Sequence, residues 1–201
     1  MFAICVAFVK LSTYGMLFWL PSYAEENLGY NNTDVAFIAI SFDVGTMLGS
    51  ILLGLLTDYT YKKRSPVAFF GLVIGSGLFF MVVFLTDESK YIIFALIFCI
   101  GFVVGGIFNI VAATAAADLA KGKALKGNDK ALGTVSGILD GSGSLGAAFG
   151  SLIIGQISQV SWPGVFIFLA CSVLVSSLPM LKVLFKEAKE IRELMRKRRN
   201  N

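Results

Sequence analysis

The chain contains no histidine. That absence removes Ser-His triads, Cys-His pairs and histidine-ligated metal sites. It also removes the side chain that most readily carries a proton near neutral pH. Charge is scarce: 15% of the 201 residues are Asp, Glu, Lys or Arg, where a soluble domain carries about 25%. An ordinary soluble domain is therefore excluded. Disorder is excluded as well, because it requires low hydrophobicity and high charge. Only three cysteines occur, Cys5, Cys99 and Cys171, each inside an apolar run. Their odd number and their spacing argue for small packing side chains and against disulfides or metal ligation. No cofactor motif is present. An enzyme is disfavoured, since 201 residues of this composition leave no room for a separate catalytic domain.

What the sequence does contain is apolar. Hydrophobic residues make up 56% of it, and the mean hydropathy is +0.78. A membrane-spanning helix needs about 20 apolar residues. Six segments approach that length: 2–23, 35–56, 66–85, 91–117, 131–158 and 162–185. Short polar connectors separate them. Gly and Pro interrupt them, which membrane helices tolerate. The expected fold class is an all-α membrane protein, with a six-helix transmembrane bundle over residues 1–185. Residues 186–201 form a basic amphipathic tail. The first segment begins almost at Met1, with no basic n-region and no cleavage pattern, so it is not a signal peptide. A start inside a spanning helix points to a fragment of a longer chain.

Lys and Arg set the expected orientation. With the N-terminus in the cytoplasm, the inner connectors hold Lys62, Lys63, Arg64, Lys121, Lys123, Lys126 and Lys130. The tail adds eight more from Lys182 to Arg199, so fifteen of the seventeen basic residues lie inside. Lys90 alone lies outside, and Lys10 lies within the membrane. Both termini are then cytoplasmic. The Asn31-Asn32-Thr33 sequon falls in the first outer connector, in agreement. The net charge of +4 thus reports topology, and no nucleic-acid partner is implied. The tail reads as a basic helix on the cytoplasmic leaflet of the bilayer, with a solvated charged tail as the alternative. Arg198-Arg199 is compatible with a dibasic endoplasmic-reticulum retrieval signal.

Ionisable residues at membrane depth are costly and mark function by default. Three occur: Lys10 in the first segment, Asp43 in the second and Asp140 in the fifth. The fourth contributes Asn109 and Thr114. The third and sixth have no charge in their apolar spans. Segments 1, 2, 4 and 5 are therefore expected to face something polar, and 3 and 6 to face lipid, a three-plus-three pattern of the kind seen in repeat-built transporters. Counting residues from the cytoplasmic ends at about 1.5 Å per residue puts Lys10, Asp140 and Asn109 within one turn of each other in height. Asp43 lies nearer the outside. A lysine and a carboxylate at matching depth can pair across a cavity; a purely structural pair that holds the bundle together is the alternative. Thr13 and Tyr14 share the Lys10 face of the first helix. On the fifth, Ser136, Asp140 and Ser144 form a polar stripe. Gly133, Gly137 and Gly141, and again Gly146 and Gly150, recur at a spacing that permits close helix approach.

Two superficial matches are rejected. Gly141-Ser-Gly143-Ser-Leu-Gly146 fits G-x-G-x-x-G, but a dinucleotide site needs a preceding strand, which a membrane bundle does not supply. Two membrane aspartates also raise an intramembrane aspartyl protease. The contexts Phe42-Asp43 and Ile138-Leu-Asp140-Gly141 carry neither Tyr-Asp nor Gly-x-Gly-Asp.

Gly54-Leu-Leu-Thr-Asp58-Tyr-Thr-Tyr-Lys62-Lys63-Arg64 resembles the loop motif G-x-x-x-D-x-x-x-x-[KR] of the major facilitator superfamily. Four further stretches resemble the sugar-phosphate exchangers (solute carrier family 37) of its organophosphate:phosphate antiporter branch. They are Lys10–Tyr14 with Phe18–Tyr23, Phe42–Gly45, Ala117–Leu132 and Ile138–Gly146. The resemblance covers essentially the whole chain as helices 7–12 of a twelve-helix carrier, one half of the major facilitator fold. It implies exchange of a phosphorylated sugar, such as glucose 6-phosphate or glycerol 3-phosphate, for inorganic phosphate by alternating access. The N-terminal six-helix half would be the partner. Bacterial relatives carry an arginine three residues after the position of Lys10, where this chain has Thr13.

On that reading Lys10 contacts phosphate, and Thr13, Tyr14, Asn109 and Ser136 hydrogen-bond phosphate or sugar hydroxyls. Asp43 and Asp140 hold Lys10 while the site is empty. Gly54, Asp58 and Arg64 brace the cytoplasmic gate. Two other readings stay open at this point: a non-transporting six-helix scaffold or partner protein, and a facilitator for another organic anion.

Overall fold

The computed structural model describes residues 2–59, 65–85, 89–111 and 129–199. Six helices account for nearly all of them: α1 (Phe2–Glu26), α2 (Asn32–Tyr59), α3 (Ser65–Phe84), α4 (Lys90–Val111), α5 (Asp129–Ser158) and α6 (Trp162–Arg199). No strand occurs among the described residues. Helices are the physical answer to this composition, because each satisfies its own backbone hydrogen bonds where lipid offers none. All six contain a stretch long and apolar enough to cross a membrane.

The helix ends differ from the sequence reading by a few residues. α2 starts at Asn32 because the Asn31 side chain caps it, its Oδ1 accepting from the Asp34 N–H at 2.9 Å. Gly29, at φ 64°, makes the turn between α1 and α2. The Ser161 hydroxyl accepts from the Gly164 N–H at 3.3 Å where α6 begins. α6 then runs through Pro179 without a break to Arg199, so the basic stretch is continuous in backbone with the last spanning helix. Thr114, Arg64 and the lysines of the 121–128 stretch lie outside the described residues. α4 holds a feature that periodicity did not reveal: Gly101–Gly105 is a π-helical turn. Such turns insert one residue and shift the faces of the helix on either side.

The helices pair in a regular way. α1 packs against α5, α2 against α4, and α3 against α6, with α1 also lying along α6. First with fifth, second with fourth and third with sixth is a pattern left unchanged when the two triplets are exchanged. It is the arrangement expected of a three-plus-three repeat. The α3–α6 pair buries Leu72, Phe79, Leu169 and Val173, and the Ser76 hydroxyl donates to the Ala170 carbonyl at 3.0 Å. The opposite face of α3 exposes Phe70, Val73, Ile74, Phe80, Met81 and Phe84, a surface that suits lipid.

The reading of α2 as a helix with a polar outlook needs adjustment. Apart from Asp43, it presents a broad apolar surface that includes Phe37, Ile40, Met47, Ile51, Leu52 and Leu55. Its buried edge meets α4 backbone to backbone. A Cβ on Gly45 would collide with the Phe98 carbonyl, one on Gly49 with the Phe102 carbonyl, and one on Gly101 with the Phe42 carbonyl. Small residues at such crossings let membrane helices gain dispersion contact and interhelical hydrogen bonds. Thr46 Oγ1 donates to the Gly101 carbonyl at 3.3 Å, Ser41 Oγ to the Phe94 carbonyl at 3.0 Å and Asn109 Nδ2 to Ser50 Oγ at 2.7 Å. Gly49→Val is therefore expected to lower stability by about 2 kcal/mol or more through overpacking. Gly77→Ala has open space around the new Cβ and serves as the neutral control. Thermal unfolding of the two purified variants in detergent checks the difference.

Candidate functional site

The site is built where α1 meets α5. Gly143, Gly146 and Gly150 bring the two helices together: a Cβ at these positions would press on Lys10, Ala7 and Leu11 respectively. Gly133, Gly137 and Gly141 take no part, for nothing lies within 4 Å of a Cβ built on them. Of the two glycine runs expected to allow close approach, Gly146 and Gly150 do so, joined by Gly143, and the run Gly133, Gly137 and Gly141 does not. Gly143 leaves the space that the Lys10 stem fills.

Lys10 is buried, and it is the one buried charge among the described residues. Its Nζ donates to Asp140 Oδ1 at 2.7 Å and to Ser144 Oγ at 3.0 Å, and lies 3.4 Å from the Asp140 carbonyl oxygen. It also sits 5.5 Å from the centroid of the Tyr14 ring, within cation–π range. The ion pair is lopsided: the lysine side chain is 6% exposed and the aspartate 75%. The ammonium is held by the protein, and the carboxylate reaches out from its helix into open space.

A cavity of about 560 Å³ adjoins the ammonium along this wall, lined by Lys10, Tyr14, Phe18, Ser144, Ala147, Ala148, Ser151 and Leu152. Its wall has a cation with hydroxyls at one end and aromatic and apolar side chains beside it. That combination of a mostly apolar lining with a few convergent polar groups is typical of small-molecule sites. A buried ammonium with its own hydrogen-bond partners is suited to a phosphate or carboxylate.

The sequence-derived candidates divide into three groups. Lys10 and Tyr14 line the cavity, and Asp140 pairs with Lys10 without being among the residues that line it. Thr13 is close in sequence but buried, and its hydroxyl donates to the Val9 carbonyl at 3.0 Å inside α1. Ser136 is half-buried two turns from Ser144 and is not among the residues lining the cavity. Asn109 faces α2, donating through Nδ2 to Ser50 Oγ at 2.7 Å. Asp43 is exposed on α2 and forms no ion pair with Lys10. The sequence reading gave Lys10 two carboxylate partners, Asp43 and Asp140; the structure pairs it with Asp140, because azimuth around the helix, which depth does not contain, points Asp43 elsewhere. Gly54 and Asp58 lie near the C-terminal end of α2, Gly54 with its carbonyl accepting from Thr57 Oγ1 at 2.5 Å and Asp58 exposed. Arg64 lies outside the described residues.

Three residues at the site escaped the sequence reading: Phe18, Trp19 and Ser151. Ser151 continues the Ser144 stripe at a spacing of seven residues, and Trp19 Nε1 donates to its Oγ at 3.0 Å. The continuation of the stripe was the available signal.

The Lys10–Asp140 contact has a measurable consequence. Asp140→Ala leaves the ammonium with Ser144 and a distant carbonyl, and is expected to cost about 1–3 kcal/mol. Replacing both charges, Lys10→Met with Asp140→Leu, is expected to recover most of that loss. Thermal unfolding of the single and double variants in detergent reads the coupling.

Comparison with known proteins places this geometry in a family. The family model described as Major Facilitator Superfamily matches residues 2–199. The chain is 33% identical over 186 residues to the glucose-6-phosphate exchanger SLC37A2 of Bos taurus, covering 92% of this chain and 38% of that protein. It is 37% identical over 194 residues to the putative glycerol-3-phosphate transporter 2 of Arabidopsis thaliana, covering 94% and 38%. It is 34% identical over 199 residues to sugar phosphate exchanger 3 of Mus musculus, covering 98% and 39%. The chain thus spans about two fifths of the length of these relatives. With six apolar helices and a match over nearly its whole length, it is an integral multi-pass membrane protein that belongs to the major facilitator superfamily.

Proposed function

We propose that this chain is the C-terminal six-helix half of a twelve-helix antiporter that exchanges a phosphorylated sugar for inorganic phosphate. The observation that carries the proposal is the buried Lys10 ammonium held open to a cavity by Asp140 and Ser144. Its similarity to a glucose-6-phosphate exchanger and to a glycerol-3-phosphate transporter supports the choice of anion.

The mechanism follows from competition for one cation. In the empty site Asp140 neutralises Lys10. A phosphate dianion entering the cavity displaces the carboxylate, takes the ammonium and the Ser144 hydroxyl, and leaves Asp140 free to swing away. Tyr14 stays against the ammonium throughout. The loss of the Lys10–Asp140 tie between α1 and α5 is the differential contact that a substrate-driven change of state requires. Inorganic phosphate and a sugar phosphate make the same exchange with Asp140, so either one carries the occupied carrier across. The empty carrier, locked by its own ion pair, returns poorly, and obligatory exchange results.

The six-helix partner half would cover the apolar surfaces that α2 and α5 expose around Asp43, Ile138, Leu145 and Phe149 and close the cavity from the other side. Gly54, Asp58 and Arg64 would brace the cytoplasmic gate between the halves. The cationic connectors and tail support a topology with both termini in the cytoplasm, and the terminal arginines favour the endoplasmic-reticulum membrane.

Counterflow of labelled phosphate in liposomes carrying the twelve-helix protein is the direct test. Lys10→Ala is expected to reduce exchange at least a hundredfold, and Lys10→Arg to retain part of it. Undiminished exchange in Lys10→Ala would remove Lys10 from the site.

A further inference from the structure

The cavity wall carries a second polar pole that the phosphate site does not use. Ser151 lines the cavity seven residues beyond Ser144 on α5. Seven residues are two helical turns, so the two hydroxyls share one face about 10 Å apart. Between them lie Ala147 and Ala148, which project little, and across from these stand Tyr14 and Phe18 of α1. An anion at Lys10 and a hydroxyl at Ser151 would flank a flat, partly apolar body lying against the aromatic rings.

The hydrogen bonding of Ser151 sets it apart from its neighbours. Ser142, Ser144, Ser158, Ser172, Ser176 and Ser177 each donate to a carbonyl of their own helix, the usual fate of a hydroxyl in an apolar helix. Ser151 instead accepts, from Trp19 Nε1 at 3.0 Å. Its proton is not committed to its helix. The indole is itself fixed in place, its ring lying flush on Gly155, where a Cβ would meet it at 3.0 Å. A hydroxyl polarised by a seated N–H donor and open to a cavity is a directed hydrogen-bond donor.

We propose that Ser151, held by Trp19, is the specificity-determining contact for the sugar end of the substrate, donating to a ring or distal hydroxyl of a six-carbon sugar phosphate whose phosphate sits on Lys10. This rests on the antiport reading above and adds the size class. Bare phosphate at Lys10 is too short to touch Ser151, while a hexose phosphate lying along the wall reaches it.

The test compares two substrates in the same protein. In liposomes carrying the twelve-helix carrier, KM is measured for inorganic phosphate and for glucose 6-phosphate with Ser151→Ala, Ser151→Thr and Trp19→Phe. The ratio of the glucose 6-phosphate KM to the phosphate KM is expected to rise about tenfold in Ser151→Ala, the effect of one lost hydrogen bond. It is expected to rise in Trp19→Phe as well, and to return toward the original value in Ser151→Thr, which keeps a hydroxyl. Because the readout is a ratio within one variant, a change in folding yield cancels. An unchanged ratio in Ser151→Ala and Trp19→Phe, with phosphate exchange present, would overturn the Ser151 assignment alone. Absence of phosphate self-exchange in the unsubstituted carrier would overturn the antiport reading, and this inference with it.

Discussion

A lysine ammonium inside an apolar bundle must be neutralised and hydrogen-bonded, and the architecture of this chain is arranged around meeting that demand for Lys10. Desolvating a single unpaired charge costs far more than any packing contact returns. The solution is an aspartate and a serine one turn apart on α5, presented to the Nζ at 2.7 and 3.0 Å. For those groups to reach Lys10, α1 and α5 must approach closely, and the glycines at 143, 146 and 150 permit it. The stem of the lysine, Ala7 and the Leu11 side chain occupy the volume that side chains at those positions would take.

On the proposed antiport, the same demand would make the pair a functional element as well as a structural tie. A fully enclosed pair would be satisfied and inert. Here the lysine is buried and the aspartate is largely open, so the counter-ion can be exchanged for another anion without moving the cation. The helix packing supports this. α3 and α6 form a hydrophobic buttress away from the cavity, and α2 and α4 cross on glycine with their backbones in contact. The principal polar tie of the α1–α5 wall is the Lys10–Asp140 pair, the one that a phosphate would compete for on the proposed mechanism.

Much of this was legible in the residues themselves. Six helical spans follow from hydropathy and segment length, the half-carrier architecture from the resemblance of the loop and helix motifs, and the family match agrees. The prominence of Lys10, Asp43 and Asp140 followed from the cost of charge at membrane depth, which left two carboxylates as partners for one cation. Other roles were not legible, for identifiable reasons. Thr13 shares a face with Lys10 on a helical wheel, yet its hydroxyl is taken by the carbonyl four residues back. Asn109 matches the depth of Lys10 but belongs to α4, where it serves Ser50. The π-helical turn at Gly101–Gly105 rotates the faces of α4 in a way that no fixed period represents. Ser151 was passed over because a serine in an apolar run ordinarily bonds its own helix.

The sequence by itself determined the solvent and the scale of this protein: a lipid-embedded, all-helical chain with one cation and two carboxylates placed where charge is costly. Composition and the length of apolar runs suffice for that, because the bilayer constrains each helix independently. Only the tertiary structure decided which carboxylate meets the cation, which glycines are crossings and which are open, and which hydroxyls face the cavity. Those are matters of rotation about the helix axes and of the partner each face meets. They are settled by packing between helices distant in sequence, information that no single helix carries.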